Sequence, residues 1–345
     1  MAEPIRFNNV TTKVGPGIST ATERASQAGV SRVRLLDLAA SSVEDLRRER
    51  HERTAEDFCE SFQVCLPYRG LGIWHVGGRD IVADCNQVLF VRGGEEYRTS
   101  GPVPGGYAEL IFTPDIELLS ELVCADGPGL FSHPLFRRRS GPAPPFLQAF
   151  RTRFLNWLTP ESHLCHLEAE ESVVALLRTA LQQGNECQTD RCGVTSARLI
   201  QRTKQFLEEQ LSAPIRLREI GRAVGASPAY LTDLFRRVEG VSLHQYLTQL
   251  RLARALAELP HTENLTELAL DTGFSSHSHF SAAFRRAFGD TPSEYREQTR
   301  RHRRPVAPAL LARSAPRSPG YRKIATENLS PSSPGEALTV ATQNS

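Results

Sequence analysis

One pattern occurs twice in the second half of this 345-residue chain, 48 residues apart, and restricts the fold more than any other feature. In RLREIGRAVGASPAYLTDLFRRV, which begins at Arg216, the residues Leu217, Ile220 and Val224 share one helical face. Gly221 leaves room for a second helix to cross closely, and Gly225 can take the positive φ that ends the first. Ser227 is placed to cap the next helix, with Pro228 at its first position, where the missing N–H costs nothing. That helix buries Leu231, Leu234 and Phe235. Its opposite face presents Ala229, Thr232, Asp233 and Arg236 at spacings of i, i+3, i+4 and i+7. One exposed stripe on a short capped helix is what reading a major groove requires.

The second copy runs through NLTELALDTGF and SSHSHFSAAFRRAF. Leu265, Leu268 and Ala269 pack its first helix and Gly273 makes the turn. Phe280, Phe284 and Phe288 then point inward, leaving His277, Ser278, Ser281, Ala282 and Arg285 towards the outside. The core positions fall at +6 and +10 from the first turn glycine but at +7 and +11 from the second, so the second turn is one residue longer. Between the copies, SLHQYLTQLRLARALAELP reads as one helix capped by Ser242 and stopped by Pro260. Its roughly 25 Å length is suited to holding two recognition helices near one turn of B-DNA apart. The two motifs span about 217–238 and 265–288.

Residues 198–299 resemble the DNA-binding domain of the AraC/XylS family of bacterial transcription regulators. The likeness rests on Ser227, Leu231, Phe235 and Gly240, on QYLTQLRLARA, and above all on GFSSHSHFSAAFRRAFGDTPSEYR. The resemblance implies base contacts from Ala229, Thr232, Asp233 and Arg236, and from His277, Ser278, Ser281, Ala282 and Arg285. It also implies phosphate contacts at helix N-termini, with Ser242 and Thr291 as candidates. Arg236 or Arg285 bidentate to guanine is the most discriminating contact, and a phosphate contact is the alternative for each. Asp233 can accept from cytosine N4 or pair with Arg236 or Arg237. At least one of His277 and His279 is expected to serve structure or phosphate.

The first half reads differently. From about Val30 to Pro114, short apolar runs such as SFQVCL, LGIWHV and QVLFVR are separated by Gly- and Pro-rich turns, the mark of an antiparallel sandwich or barrel. Residues 115–182 then carry helical periodicity, and Leu164, Leu167, Val174, Leu177 and Leu181 fall near one face. That face packs on the sheet or meets a second subunit. The stretch GRDIVADCNQVLFVRGGEEYR resembles the cupin-like sensing domain of the benzoate-type activators in the same family. This resemblance implies a small-molecule effector, an aromatic or organic acid, and self-association as a homodimer. Arg69, Trp74, His75, Tyr97 and Arg98 are the candidate effector residues, an Arg to hold a carboxylate and aromatic rings to stack.

The expected fold is therefore α+β in two domains. Residues 1–29 are a loose N-terminal segment, 30–182 a cupin-like β-barrel with flanking helices, and 183–197 a linker. Residues 198–300 form the all-α tandem helix-turn-helix domain, and 303–345, rich in Ser and Pro, are expected to be disordered. Charge follows this division: net −5 over residues 1–195 and net +5 over 196–304, an asymmetry suited to a polyanion partner for the second half. The remaining expectations are negative. No signal peptide or membrane span is visible, so a cytoplasmic protein is expected. Seven scattered cysteines suit reduced thiols, with Cys65 and Cys85 as small buried hydrophobes. His51 and His75 form no H-x-H pair and Cys187-x4-Cys192 lacks a second pair, so no metal site, cofactor or catalytic residue is expected. Double-stranded DNA and RNA polymerase are the expected partners. A ligand-independent DNA-binder whose barrel only dimerises, or an enzyme–regulator fusion, are the alternatives.

Overall fold

In strand Tyr107–Pro114, residues alternate between two apolar surroundings, and that alternation organises the first half of the molecule. The computed structural model describes residues 29–50, 52–54, 56–123, 139–158, 166–185 and 194–301. Among the described residues, ten strands form two sheets, every pairing antiparallel. The larger runs β1 (Val30–Asp37), β2 (Ser41–Arg48), β9 (Tyr107–Pro114), β4 (Gln63–Gly70), β7 (Gln87–Val91), β10 (Ser140–Pro142). The smaller runs β3 (Asp57–Cys59), β8 (Glu95–Ser100), β5 (Gly72–Val76), β6 (Arg79–Ala83). No described strand hydrogen-bonds into both, so the expected barrel is replaced, among the described residues, by two sheets.

Between the sheets lie Leu46, Cys65, Trp74, Leu89, Tyr97, Tyr107 and Ile111. The other face of the larger sheet, with Val64, Leu66, Phe90, Leu110 and Phe112, carries three helices: α1 (Ile116–Val123), α2 (Pro145–Trp157) and α3 (His166–Asn185). Phe150, Phe154 and Trp157 of α2 fill that interface, each burial worth about 2–3 kcal/mol. In α3, Leu177 and Leu181 are buried in the same core and Val174 is packed against it, whereas Leu167 is 62% exposed. Most of the stripe is thus spent on the sheet. Leu164, residues 1–28 of the expected segment 1–29 and the expected segment 303–345 lie outside the described residues, as does 186–193 within the expected linker.

Seven helices follow: α4 (Val194–Glu209), α5 (Leu217–Val224), α6 (Pro228–Glu239), α7 (Leu243–Glu258), α8 (Leu265–Asp271), α9 (His277–Phe288) and α10 (Pro292–Arg301). They enclose two cores. Ile220, Val224, Leu231, Leu234 and Phe235 belong to the first, Leu268, Ala269, Phe280, Phe284 and Tyr295 to the second. The long helix α7 serves both, giving Tyr246 and Leu250 to one and Leu252 and Leu256 to the other. Three expected core positions differ: Leu217 is 39% exposed, and Leu265 and Phe288 are only partly buried. Pro260 does not stop the chain dead but sits in a 3-10 turn, Leu259–His261, that prolongs α7.

The sheet half touches both helix-turn-helix units. Asp84 Oδ2 accepts from the Tyr246 hydroxyl at 2.5 Å, and Asn86 Nδ2 donates to the Tyr246 carbonyl at 3.2 Å. Cys85 lies within the first unit's core. At the other end, α2 meets the second unit, where Ala149 packs on its core and Arg153 sits 4.7 Å over the Tyr295 ring.

Candidate nucleic-acid interface

Helices α5 and α6 cross where a Cβ on Gly221 would lie 2.7 Å from the Ala226 carbonyl, so only glycine admits this approach. Gly225 closes α5 in the left-handed conformation at φ +75. The Ser227 hydroxyl then accepts from the Tyr230 amide and Pro228 opens α6. In the second unit, Ser276 caps α9 by accepting from the His279 amide. The cap follows its turn glycine by two residues in the first unit and three in the second, as the spacing of the core positions predicts.

With Leu231, Leu234 and Phe235 buried, α6 leaves Ala229, Asp233 and Arg236 exposed. Thr232 is half-buried, and its hydroxyl donates to the Pro228 carbonyl at 2.8 Å. Asp233 makes no ion pair with Arg236 or Arg237, so the pairing considered for it is not formed. On α9, Ser278, Ala282 and Arg285 are exposed, while His277 and Ser281 are half-buried and face each other at 3.4 Å. His279 is fastened to the turn: its Nδ1 lies 3.2 Å from the Ser275 hydroxyl, and its ring meets Phe274 edge-on. The structural role expected of one histidine falls on His279.

Ser242 and Thr291 both sit in reciprocal caps. Ser242 accepts from the Gln245 amide and returns its own N–H and hydroxyl to the Gln245 side chain. Thr291 does the same with Glu294. Those two hydrogen bonds hold the Glu294 carboxyl below its ordinary value, with a smaller contribution from the charge of Arg285. Sequence reasoning missed Tyr230, 49% exposed on α6 next to Ala229, and Arg218 and Arg222, which flank the turn on α5. An aromatic one position from the predicted stripe was the available signal for Tyr230.

A helix-turn-helix domain family matches residues 220–298. The regulatory protein SoxS of Salmonella typhimurium is 36% identical over 101 residues, a match covering 29% of this chain and 94% of SoxS. The chain belongs to the AraC/XylS family. A second relative, the transcriptional activator RhaR of Klebsiella pneumoniae, is 30% identical over 131 residues, covering 38% of this chain and 47% of RhaR. An AraC-type regulator of known structure from Chromobacterium violaceum is 31% identical, covers 31% of this chain and 96% of its own, and gives a TM-score of 0.29. Like its relatives, this AraC/XylS-family protein is a DNA-binding transcription regulator and not an enzyme.

The five effector candidates in the sheet half of this AraC/XylS-family regulator do not converge. Trp74 and Tyr97 do meet between the sheets, ring centroids 4.6 Å apart, and the Tyr97 hydroxyl donates to Asp57. His75 and Arg98 lie on the opposite face of the smaller sheet. There His75 contacts Asp80 and Ser100, and Arg98 pairs with Glu56. Arg69 is exposed on β4 and joins neither group. The cause is elementary: neighbours along a strand point to opposite faces, so Trp74 and His75 cannot share a pocket, nor can Tyr97 and Arg98. Cys59, Cys65 and Cys85 are free buried thiols, and burial pushes the Cys85 thiol up to about 12, away from thiolate reactivity. Among the described residues, no three His, Cys, Asp or Glu side chains gather as a metal site, and no helix is long and apolar enough to cross a membrane.

Proposed function

We propose that this regulator is an effector-responsive activator that sets α6 and α9 into successive major grooves beside a promoter and recruits RNA polymerase there. The observation that carries the reading is the pair of capped helices joined by α7, each with an exposed, unpartnered stripe: Ala229, Asp233 and Arg236 on one, Ser278, Ala282 and Arg285 on the other. Arg236 and Arg285 are free to reach guanine. Thr232, His277 and Ser281 sit at the edges of these stripes. Ser242 and Thr291 mark helix N-termini whose amides can face phosphate, their hydroxyls being already engaged. Residues 198–300 form the DNA-binding unit and 30–182 a cupin-like sensing and homodimerising unit, acting in the cytoplasm. Within the latter, Trp74 and Tyr97 are the retained effector candidates.

Genome-wide footprinting of the native protein against the Arg236→Ala, Arg285→Ala double variant tests this. Discrete promoter sites that vanish in the variant are expected. Sites that persist unchanged overturn the assignment of the reading face. One observation favours a ligand-independent regulator as the second reading: the cavity between the sheets measures only about 10 Å³, the space of one water.

A further inference from the structure

Arg218 and Arg222 stand one turn apart on α5, both exposed, and among the described residues neither forms an ion pair or a hydrogen bond. The acid between them in sequence, Glu219, is already committed, its carboxylate accepting the Arg216 amide at 2.8 Å. Other arginines of the helical half are spent on the fold. Arg251 donates to the Leu211 and Ala213 carbonyls, Arg296 to those of Thr262 and Glu263, and Arg254 pairs with Glu258. The stability of α5 does not account for the free pair. Arg222, in the last turn, suits the negative end of the helix dipole, but Arg218 is in the first turn, where a positive charge is unfavourable. Like charges four residues apart also repel. The two arginines line an open groove of about 550 Å³, walled otherwise by Gly221, Gly225, Ala226 and Pro228. Those four bring no charge and little bulk, and a Cβ on Gly225 would meet nothing within 4 Å.

The repeat shows what is particular to this place. Aligning Gly225 with Gly273 sets Thr266 and Leu270 of α8 at the positions of Arg218 and Arg222, and both are as exposed as the arginines. Aligning the caps Ser227 and Ser276 sets Arg236 and Arg237 of α6 against Arg285 and Arg286 of α9. The second helices of the two units thus carry matching arginines, and the first helices do not.

We propose that this groove grips the DNA backbone, with Arg218 and Arg222 on phosphates beside the major groove that α6 enters, and that the first unit is the electrostatic anchor of the complex. This rests on the reading of α6 and α9 as groove-reading helices and adds the backbone side of that contact. Pro228, the first residue of α6, forms part of the groove wall, so a duplex that receives the start of α6 lays a sugar–phosphate strand against it. A guanidinium suits that partner, because its planar fork holds two phosphate oxygens at once. Asp233, whose charge opposes a phosphate, lies on the outer stripe of α6 and does not line the groove. At the matching place in the second unit, Thr266 offers one hydroxyl and Leu270 nothing polar. The first unit therefore releases more counterions on binding, and two further phosphate contacts steepen the fall of log affinity with log salt by about 1.8. Such contacts set position and strength and carry no base preference.

The test measures the affinity of the full chain for a mixed-sequence duplex, and for promoter fragments recovered by footprinting, from about 50 to 200 mM salt. The Arg218→Ala, Arg222→Ala variant is expected to show a slope shallower by about 1.8, so its loss against the native chain is about tenfold greater at the low end of that range than at the high end. Both DNAs should lose alike, leaving the preference for promoter sequence unchanged. Arg218→Lys, Arg222→Lys keeps both charges and is expected to keep the slope, which separates charge from any disturbance of α5. Thr266→Ala, Leu270→Ala is expected to leave the slope as it is, and an equal loss there overturns the anchoring role of the first unit. An unchanged slope in the alanine variant overturns the backbone contact, as does a lysine variant that fails to restore it. A loss confined to promoter fragments makes the arginines base contacts instead. Alanine variants that bind DNA normally but no longer activate transcription assign the groove to an acidic protein surface, which also overturns the proposal. The underlying reading fails separately: footprints that persist in the Arg236→Ala, Arg285→Ala variant reject the reading face whatever the salt slope.

Discussion

Glu109 keeps its proton to about pH 7 in the folded chain, against 4.5 for an ordinary glutamate, because burial penalises the carboxylate. In the unfolded chain the same group ionises first. Between about pH 4.5 and 7 the unfolded state therefore holds fewer protons, and stability falls as pH rises through that window, by on the order of 3 kcal/mol. Glu109→Gln removes this contribution. Urea unfolding at pH 5 and pH 7.5 should show a smaller drop for the variant than for the native chain. Gly273 offers a second test at this scale. Its φ is +89, and a Cβ there would lie 2.5 Å from the Leu211 carbonyl and 2.8 Å from Arg251 Nε, the atom that donates to that carbonyl. Gly273→Ala is expected to cost about 2 kcal/mol or more in denaturant unfolding. The need for glycine in this turn was legible in the sequence, but the tightness was not, since Leu211 and Arg251 reach it only through the fold. Glu109 was hidden for a related reason. In GYAELIF both faces of the strand read as apolar, and a lone carboxylate there gives no sign of which sheet it faces.

Helices announce themselves through their ends. Ser227 and Ser242 were expected as caps and Ser276 was not; each accepts the amide three residues on, because a short hydroxyl at that position satisfies an otherwise orphan donor. The strut α7, at 16 residues and 1.5 Å each, is about 24 Å long, and its length followed from Ser242 and Pro260 alone. Its cap yields a prediction. Ser242→Ala should lower stability by about 1 kcal/mol in chemical unfolding, while the salt dependence of DNA binding stays unchanged because Gln245 already occupies the hydroxyl. A shallower slope of affinity against salt would instead make the hydroxyl a phosphate contact. Strands were less legible than helices. Their existence was evident from apolar runs between glycines, but the effector set mixed residues from opposite faces, although the period of two was enough to separate Trp74 from His75. The split into two sheets, with β9 paired between β2 and β4, depends on contacts distant in sequence, which no local pattern encodes.

At the scale of the molecule, the turn between β6 and β7 is bound into the first helix-turn-helix unit. Asp84 and Tyr246 are both buried where they meet, and Gln148 on α2 braces the same turn by donating to the Cys85 carbonyl. Tyr246→Phe keeps the ring against Phe235 but leaves Asp84 Oδ2 without its donor. The expected loss is about 1–3 kcal/mol. Scanning calorimetry should show a lowered transition, split where the sheet half and the helical half no longer melt together, whereas an unchanged single transition would mean the contact couples nothing. The sequence hinted at this coupling nowhere, since Asp84 and Tyr246 lie 162 positions apart in the chain. The repeat itself has a last consequence. Its two copies follow one another along a single chain, with turns of unequal length and different side chains on their outer faces: an acid and an arginine on α6, serines, histidine and arginine on α9. Nothing relates them by a two-fold axis, so a site cut out and reinserted back to front spells a different word. If both outer faces read bases as proposed, a single copy bound to a promoter therefore has a direction, fixed before any partner arrives.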